Sequence, residues 1–471
     1  MARAPLRPGD LIDGFTLIER VHRGNMSSLW RVGRDDLDLP LVMKVPRLGY
    51  GDDPTGIVGF EVEAMIMPTL SGPHVPRFVA AGDFETLPYL VTEWIDGGAL
   101  HERLGPLPLP PEEVAALGAR IATALHDLHL QHVIHLDLKP NNVMFRESGE
   151  AVLIDFGLSR HDRLPDLLAE EFRLPMGTAA YMSPEQVLQV RNDPRSDLFA
   201  LGVLLYHLAT GELPFGSPTS RGGLRRRLWK DPLPPRWAKP EFPPWLQEVI
   251  LCCLEVDPRD RFPTAARVAF LLQNPDQVPL TRRAAFQEHD GIVDVFRRWL
   301  RSLGSEPVLR HSLSDHLSQA PFVVAAVDTR HGGPLAEAQR ATVRRLLDAT
   351  PGARLGCLAV MKTSRLGMDI NVDKQGNNLH VKALVELKHW ARPMALPAER
   401  VTFHALEAPD PATAILDFAR ANQVDHLVVG ARGQSRLRQY LGSVSAQIVA
   451  NAPCTVTVVR ASEAGGRDNI A

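Results

Sequence analysis

The 471-residue chain is poor in cysteine, with only Cys252, Cys253, Cys357 and Cys454. These are too few and too scattered for a disulfide framework, and none shows C-x-x-C metal spacing, so a reducing compartment is expected. An excess of one charge sign is also missing. Fifty-two basic residues against 55 acidic ones leave a net charge of −3, which gives no reason to expect nucleic-acid or anionic-membrane binding. No run of 18 apolar residues occurs, so no membrane-spanning helix is expected. The opening stretch MARAPLRPGDLIDGF has no apolar segment after its basic residues and does not read as a secretory leader. A soluble cytoplasmic protein is the expectation. One absence is local: from Arg160 to Met176, RHDRLPDLLAEEFRLPM, there is no Ser, Thr or Tyr. That segment holds no hydroxyl to modify.

What is present fits ordinary globular protein, with 45% hydrophobic and 23% charged residues. The length suits two or three domains. Residues 10–274 begin with strand-like alternation (FTLIERV, LWRVGR, LVMKV) and become helix-rich after Pro111, which predicts an α+β unit with a small sheet lobe and a larger helical lobe. Residues 275–320 read as a polar connector. Within it Ile292, Val295, Phe296, Trp299, Leu300 and Leu303 recur at helical spacing, predicting an amphipathic helix that docks one domain on the other. Residues 321–460 alternate strand and helix, as a parallel sheet wrapped by helices would.

The stretch VIHLDLKPNNVMF places Asp137, Lys139 and Asn142 within six residues: a base, a cation and a metal ligand about one point. IDFGL follows with Asp155, and upstream lie LVMKV with Lys44, FEVEA with Glu63, and YLVTEWIDGGAL. Together with GTAAYMSPEQ, RSDLFALGVLLYHLATGELPF and DPRDRF, these motifs resemble a bacterial-type serine/threonine protein kinase, in the family's order. The resemblance implies a bilobal protein-kinase fold, ATP with Mg²⁺ or Mn²⁺, and a protein substrate with a Ser or Thr acceptor. It implies that Lys44, paired with Glu63, holds the α- and β-phosphates, and that Thr92, Glu93 and Ile95 line the adenine hinge. It further implies that Asp137 is the catalytic base, that Lys139 neutralises charge on the moving phosphate, and that Asn142 and Asp155 hold the metal. Glu185 is expected to pair with Arg261, and Asp197 to brace the catalytic loop.

Two departures from the family pattern stand out. In HRGNMSSLW, His22 and Ser27 occupy the first and third glycine positions of G-x-G-x-x-G, leaving Gly24, so weaker ATP binding or slower turnover is expected. Leu136 stands where the family has an arginine that receives an activation-loop phosphate. Receiver and modifiable hydroxyl are missing together, which predicts a kinase without loop phosphorylation as its switch; Glu170 and Glu171 offer fixed negative charge instead.

The last part of the chain, VVGARGQSRLRQYLGSVSAQIVANAPCTVTVVR, resembles the universal stress protein family, an α/β parallel-sheet fold of the adenine nucleotide alpha hydrolase type. Gly430 and Gly433, followed by Gly442 and Ser443, aim backbone donors and a helix N-terminus at an anion. In the family's ATP-binding members an aspartate closing the first strand contacts adenine, and Asp328 fits. The loop is one residue shorter than the family signature. The final strand is the family's dimerisation edge, implying a homodimer through this domain.

Two functions compete on these grounds. One is a Ser/Thr kinase tuned or targeted by its stress-protein domain in stress signalling. The other is a pseudokinase-like nucleotide-binding scaffold or sensor with the C-terminal domain as its functional centre. The basic run RGGLRRRLWK, 221–230, reads as a solvated helix face.

Overall fold

The computed structural model describes residues 6–24, 26–48, 54–103, 107–287, 299–300, 320–329, 333–363, 378–431 and 442–460. The expected connector helix lies outside them except for Trp299 and Leu300, which are helical and exposed. No described helix is long and apolar enough to cross a membrane.

The first lobe is a six-stranded antiparallel sheet of β1 (Leu11–Ile12), β2 (Phe15–Arg23), β3 (Ser27–Gly33), β4 (Leu41–Pro46), β5 (Phe78–Ala81) and β6 (Leu90–Glu93), in the order β1-β2-β3-β4-β6-β5. Strand alternation sorts the side chains: Leu41, Met43 and Val45 of β4 are buried with Phe15, Leu17, Trp30 and Val91, which turns Lys44 to the opposite face. Helix α1 (Pro54–Ile66) packs on that face.

The second lobe is helical. Helix α2 (Pro111–Leu130) starts with proline at its first turn and Glu112 and Glu113 beside the positive end of its dipole. Its apolar residues Val114, Leu117, Ile121, Leu125 and Leu128 line the side that faces the core. Gly118 of this helix lies so close to Leu205 that a Cβ there would sit 2.5 Å from the leucine methyl. Between β7 (Val143–Phe145) and the rest of this lobe run the hairpin partner β8 (Ala151–Leu153), the short helix α3 (Leu167–Glu171), and helices α4 (Arg195–Thr210), α5 (Pro244–Cys253) and α6 (Ala265–Gln273). Cys252 and Cys253 are buried in α5.

The C-terminal domain contains five parallel strands: β9 (Phe322–Ala326), β10 (Arg354–Lys362), β11 (Val401–Ala408), β12 (His426–Gly430) and β13 (Thr455–Val459). Their spatial order is β11-β10-β9-β12-β13. Both faces are covered, so the strands read as continuous apolar runs. Val323, Ala325, Leu355, Cys357 and Val428 point to the side of α7 (Pro334–Ala349) and α8 (Leu379–Ala391). Phe322, Val324, Leu358, Leu427 and Val429 point to the side of α9 (Pro411–Ala421) and α10 (Ser443–Asn451). The first of these layers continues beyond the domain. Its buried side chains belong to the same contiguous apolar cluster as Ile57, Val58 and Phe84 of the first lobe and Leu201 and Leu204 of α4.

Candidate functional site

The centre of the cleft is built by three backbone devices. Asp197, fully buried at the start of α4, accepts hydrogen bonds from the backbone N–H groups of His135 and Leu136, both at 2.8 Å, and its Oδ2 also lies 2.8 Å from His129 Nε2. Those bonds hold Leu136 at φ +60°, a left-handed conformation uncommon for leucine. The Leu136 carbonyl in turn accepts from Gln186 Nε2 at 2.8 Å. Finally, Ile154 N donates to Asn142 O at 3.0 Å, which brings the segment ending in Asp155 alongside Asn142.

Two polar constellations result. In the first, Lys44 Nζ lies 2.6 Å from Glu63 Oε2 and 2.8 Å from Asp155 Oδ1. Burial works against charge on Lys44, but the two carboxylates prevail and hold the ammonium charged; the same ammonium lowers the Asp155 pKa to about 2. In the second, Asp137 is 6% exposed and fully bonded. Its Oδ2 accepts from Lys139 Nζ at 2.6 Å and Asn142 Nδ2 at 3.2 Å, while its Oδ1 accepts from the Thr178 N–H and hydroxyl, each at 2.7 Å. Lys139 Nζ also reaches Thr178 Oγ1 at 3.1 Å. Six expected site residues therefore converge as two linked groups: Lys44, Glu63 and Asp155, then Asp137, Lys139 and Asn142.

Below them Glu185 and Arg261 form a buried bidentate pair at 2.6 and 2.8 Å. The remaining candidates sit around the cleft. Gly24 and Ser27 close the β2–β3 hairpin, Gly24 N donating to Ser27 O at 2.9 Å. Thr92 pairs with Val42 across β6 and β4, and Ile95 is buried. The N–H groups of Glu93 and Trp94 are taken by the carbonyls of Arg77 and Pro40 at 2.9 and 2.8 Å, and the Glu93 carboxylate is paired with Arg146.

A cavity of about 910 Å³ opens in the C-terminal domain, lined by Asp328, Gly430, Gly442 and Ser443 among others. Ser443 opens α10, with Gly442 at its cap. Gly433 lies outside the described residues.

Three features escape sequence reasoning. Thr178, within the GTAAYMSPEQ motif, directly holds the base and its lysine. The basic run 221–230 is not uniformly a solvated face: Arg225 and Arg226 are exposed, but Arg227 is fully buried. Its guanidinium donates to the carbonyls of Ala179 at 2.7 Å and Met182, just after Thr178, and burial pushes its pKa down to about 10. Charge runs read as exposed because charge is rarely buried, and only the orphaned carbonyls of the neighbouring loop reverse that here. Third, Glu170 and Glu171 have partners, and these come from the C-terminal domain: Arg354 and His404. No local signal connects residues so far apart in sequence.

Both parts of the chain match known protein families. Residues 17–270 match the protein kinase domain family and residues 323–460 the universal stress protein family. The serine/threonine-protein kinase PknL of Mycobacterium tuberculosis is 30% identical over 328 residues, covering 68% of this chain and 81% of the relative. The serine/threonine-protein kinase PknB of Mycolicibacterium smegmatis is 32% identical over 267 residues, 55% of this chain and 43% of the relative. The crystal structure of the Mycobacterium tuberculosis PknI kinase domain aligns with a TM-score of 0.45 at 22% identity, over 57% of this chain and 99% of that one.

Proposed function

Because the chain belongs to the protein kinase domain family, we propose that it transfers the γ-phosphoryl group of ATP to serine or threonine hydroxyls of protein substrates. The observation that carries this reading is the convergence of Lys44, Glu63 and Asp155 beside Asp137, Lys139 and Asn142 at hydrogen-bond distances.

Each residue has a task that follows from its chemistry. Lys44, held charged by two carboxylates, binds the α- and β-phosphates, and Glu63 fixes its reach. Asp137 takes the proton of the attacking hydroxyl, trading one of its present donors for the substrate. Lys139, already touching Asp137, balances negative charge as the phosphoryl group moves. Thr178 orients the Asp137 carboxylate. An Asp155 carboxylate that stays ionised and the amide oxygen of Asn142 suit Mg²⁺ or Mn²⁺, which take hard oxygen ligands and keep several waters. Asp155 and Asn142 would hold such an ion through two oxygen donors, with water completing its coordination. Bound there, the ion neutralises phosphate charge.

The eroded hairpin around Gly24 weakens ATP binding in this reading, because His22 and Ser27 carry Cβ atoms where phosphate-cradling backbone needs none. The domain works without loop phosphorylation, and the C-terminal domain tunes it in response to stress. Asp328, Gly430, Gly442 and Ser443 line a cavity large enough for a second ATP, and β13 at the sheet edge offers a homodimer contact. The scaffold alternative is disfavoured by the six intact polar groups, since a binding platform needs no base.

The deciding experiment incubates the purified chain with γ-labelled ATP, Mg²⁺ and a generic acceptor protein. Wild type should label serine and threonine, and Asp137→Ala should lower the rate by about 10²- to 10⁴-fold. Equal labelling by the two proteins would refute the assignment.

A further inference from the structure

Building on the kinase reading, we propose that the C-terminal domain is a built-in clamp on α1 and α3, with Lys388, Arg354 and His404 as positioning residues that receive Glu61, Glu170 and Glu171.

The first observation is in α1. Its apolar residues Ile57, Val58, Phe60, Val62, Met65 and Ile66 are not confined to one stripe, and none of its residues is exposed. A helix apolar on all sides must be covered on all sides. The sheet of the first lobe covers one side. On the other, Lys388 of α8 bonds Glu61 Oε1 at 2.7 Å and lies over the Phe84 ring, 5.1 Å from its centroid. Glu61 precedes Glu63 by two residues, about 200° around a helix of 3.6 residues per turn. Lys44 therefore holds α1 from the cleft through Glu63 while Lys388 holds it from behind.

The second observation is in α3, inside the hydroxyl-free segment. It packs between α1, β11 and α9. Glu170 meets Arg354 Nη1 at 2.6 Å and His404 Nε2 at 2.9 Å, and Glu171 meets His404 Nδ1 at 3.2 Å. Asn422, at the C-cap of α9, donates to the Glu170 carbonyl at 3.1 Å and accepts from Arg173 at 2.9 Å. Leu136 cannot receive an anion from this segment. The cations that receive Glu170 and Glu171 stand on the other domain and hold α3, while Asp166 of the same segment is paired with Arg191 of its own domain. Lys388 of the C-terminal domain holds α1, the helix that carries Glu63 of the Lys44–Glu63 pair. His389 and Arg392 of the same domain also meet Glu85, next to the Phe84 ring that Lys388 covers, so the contact behind α1 extends to the loop before β6.

The test uses the full chain. Lys388 is partly exposed, so Lys388→Glu leaves the core intact. With Mg²⁺-ATP and a generic acceptor, this variant should lose about tenfold in kcat with the acceptor KM unchanged. Lys388→Arg should keep most of the rate, and the double swap Glu61→Lys/Lys388→Glu should restore it. Hydrogen exchange at residues 54–66 and 167–171 should speed up in Lys388→Glu and return in the swap. A wild-type kcat in Lys388→Glu, or a loss that the swap leaves uncorrected, overturns the clamp. Should wild type transfer no phosphate, the kinase reading fails by itself. The exchange comparison then decides the clamp, unchanged exchange overturning it.

Discussion

At the residue scale, two positions show how one side chain redirects a familiar site. Leu136 is buried and its backbone is held at positive φ by Asp197 and Gln186. The loop geometry around Asp137 thus depends on the backbone of residue 136, and its side chain is free to lose the anion-binding role. His22 changes the other end of the cleft. It is exposed on β2, and its ring lies 3.2 Å from where a Cβ on Gly24 would stand. Replacing His22 by Gly gives the hairpin backbone room to approach phosphate, so the KM for ATP should fall severalfold with the acceptor KM unchanged. Steady-state kinetics at varied ATP would check this, and an unaltered KM would show that the hairpin does not limit binding. Arg227 is an exception within its charge run: Arg225 and Arg226 before it are exposed, while it fastens the loop after Thr178.

At the scale of elements, α3 is the piece that the hydroxyl-free segment and the proposed clamp have in common. Because it lacks a modifiable hydroxyl, protein stripped of all phosphate should transfer label at the untreated rate; a requirement for an upstream kinase would refute that. Its acidic residues also create a pH response. His404 is fully buried, and burial works against its charge, but Glu170 and Glu171 on α3 face both ring nitrogens and raise its pKa to about 9 from an ordinary 6.5. Arg354 on β10 and Glu61 on α1 complete the charged surroundings, and Thr402 on its own strand bonds Nε2 at 2.9 Å. A raised folded-state pKa means the stabilisation is complete below about 6.5 and is lost as pH rises through 9. Thermal unfolding of the full chain should therefore move to lower temperature between pH 7 and 9.5. The decline should flatten in His404→Gln, whose side chain does not titrate.

At the scale of the whole molecule, the apolar cluster shared by the first lobe, α4 and the α7–α8 side of the parallel sheet joins the two domains through their cores. The kinase cleft and the cavity beside Asp328 lie on bodies that share packing, which gives occupancy of one a physical route to the other. If both take nucleotide, equilibrium dialysis of the full chain should find two ATP per chain. Asp328→Ala should reduce this to one while Asp137→Ala leaves it at two. One ATP in wild type that Asp328→Ala leaves unchanged would assign binding to the cleft alone.

The sequence by itself determined the order of the catalytic motifs, the two kinds of sheet, and the pairing of a hydroxyl-free segment with Leu136. These follow from short-range periodicity and from residue types whose chemistry admits few alternatives. Strand–helix alternation over residues 321–460 was enough to predict a parallel sheet wrapped by helices. Only the tertiary structure decided where Glu61, Glu170, Glu171 and Arg227 find their partners. Those contacts join residues 45 to 327 positions apart. A charged side chain carries no mark of its distant counterpart, because burial and pairing arise together only when the chain has closed around them.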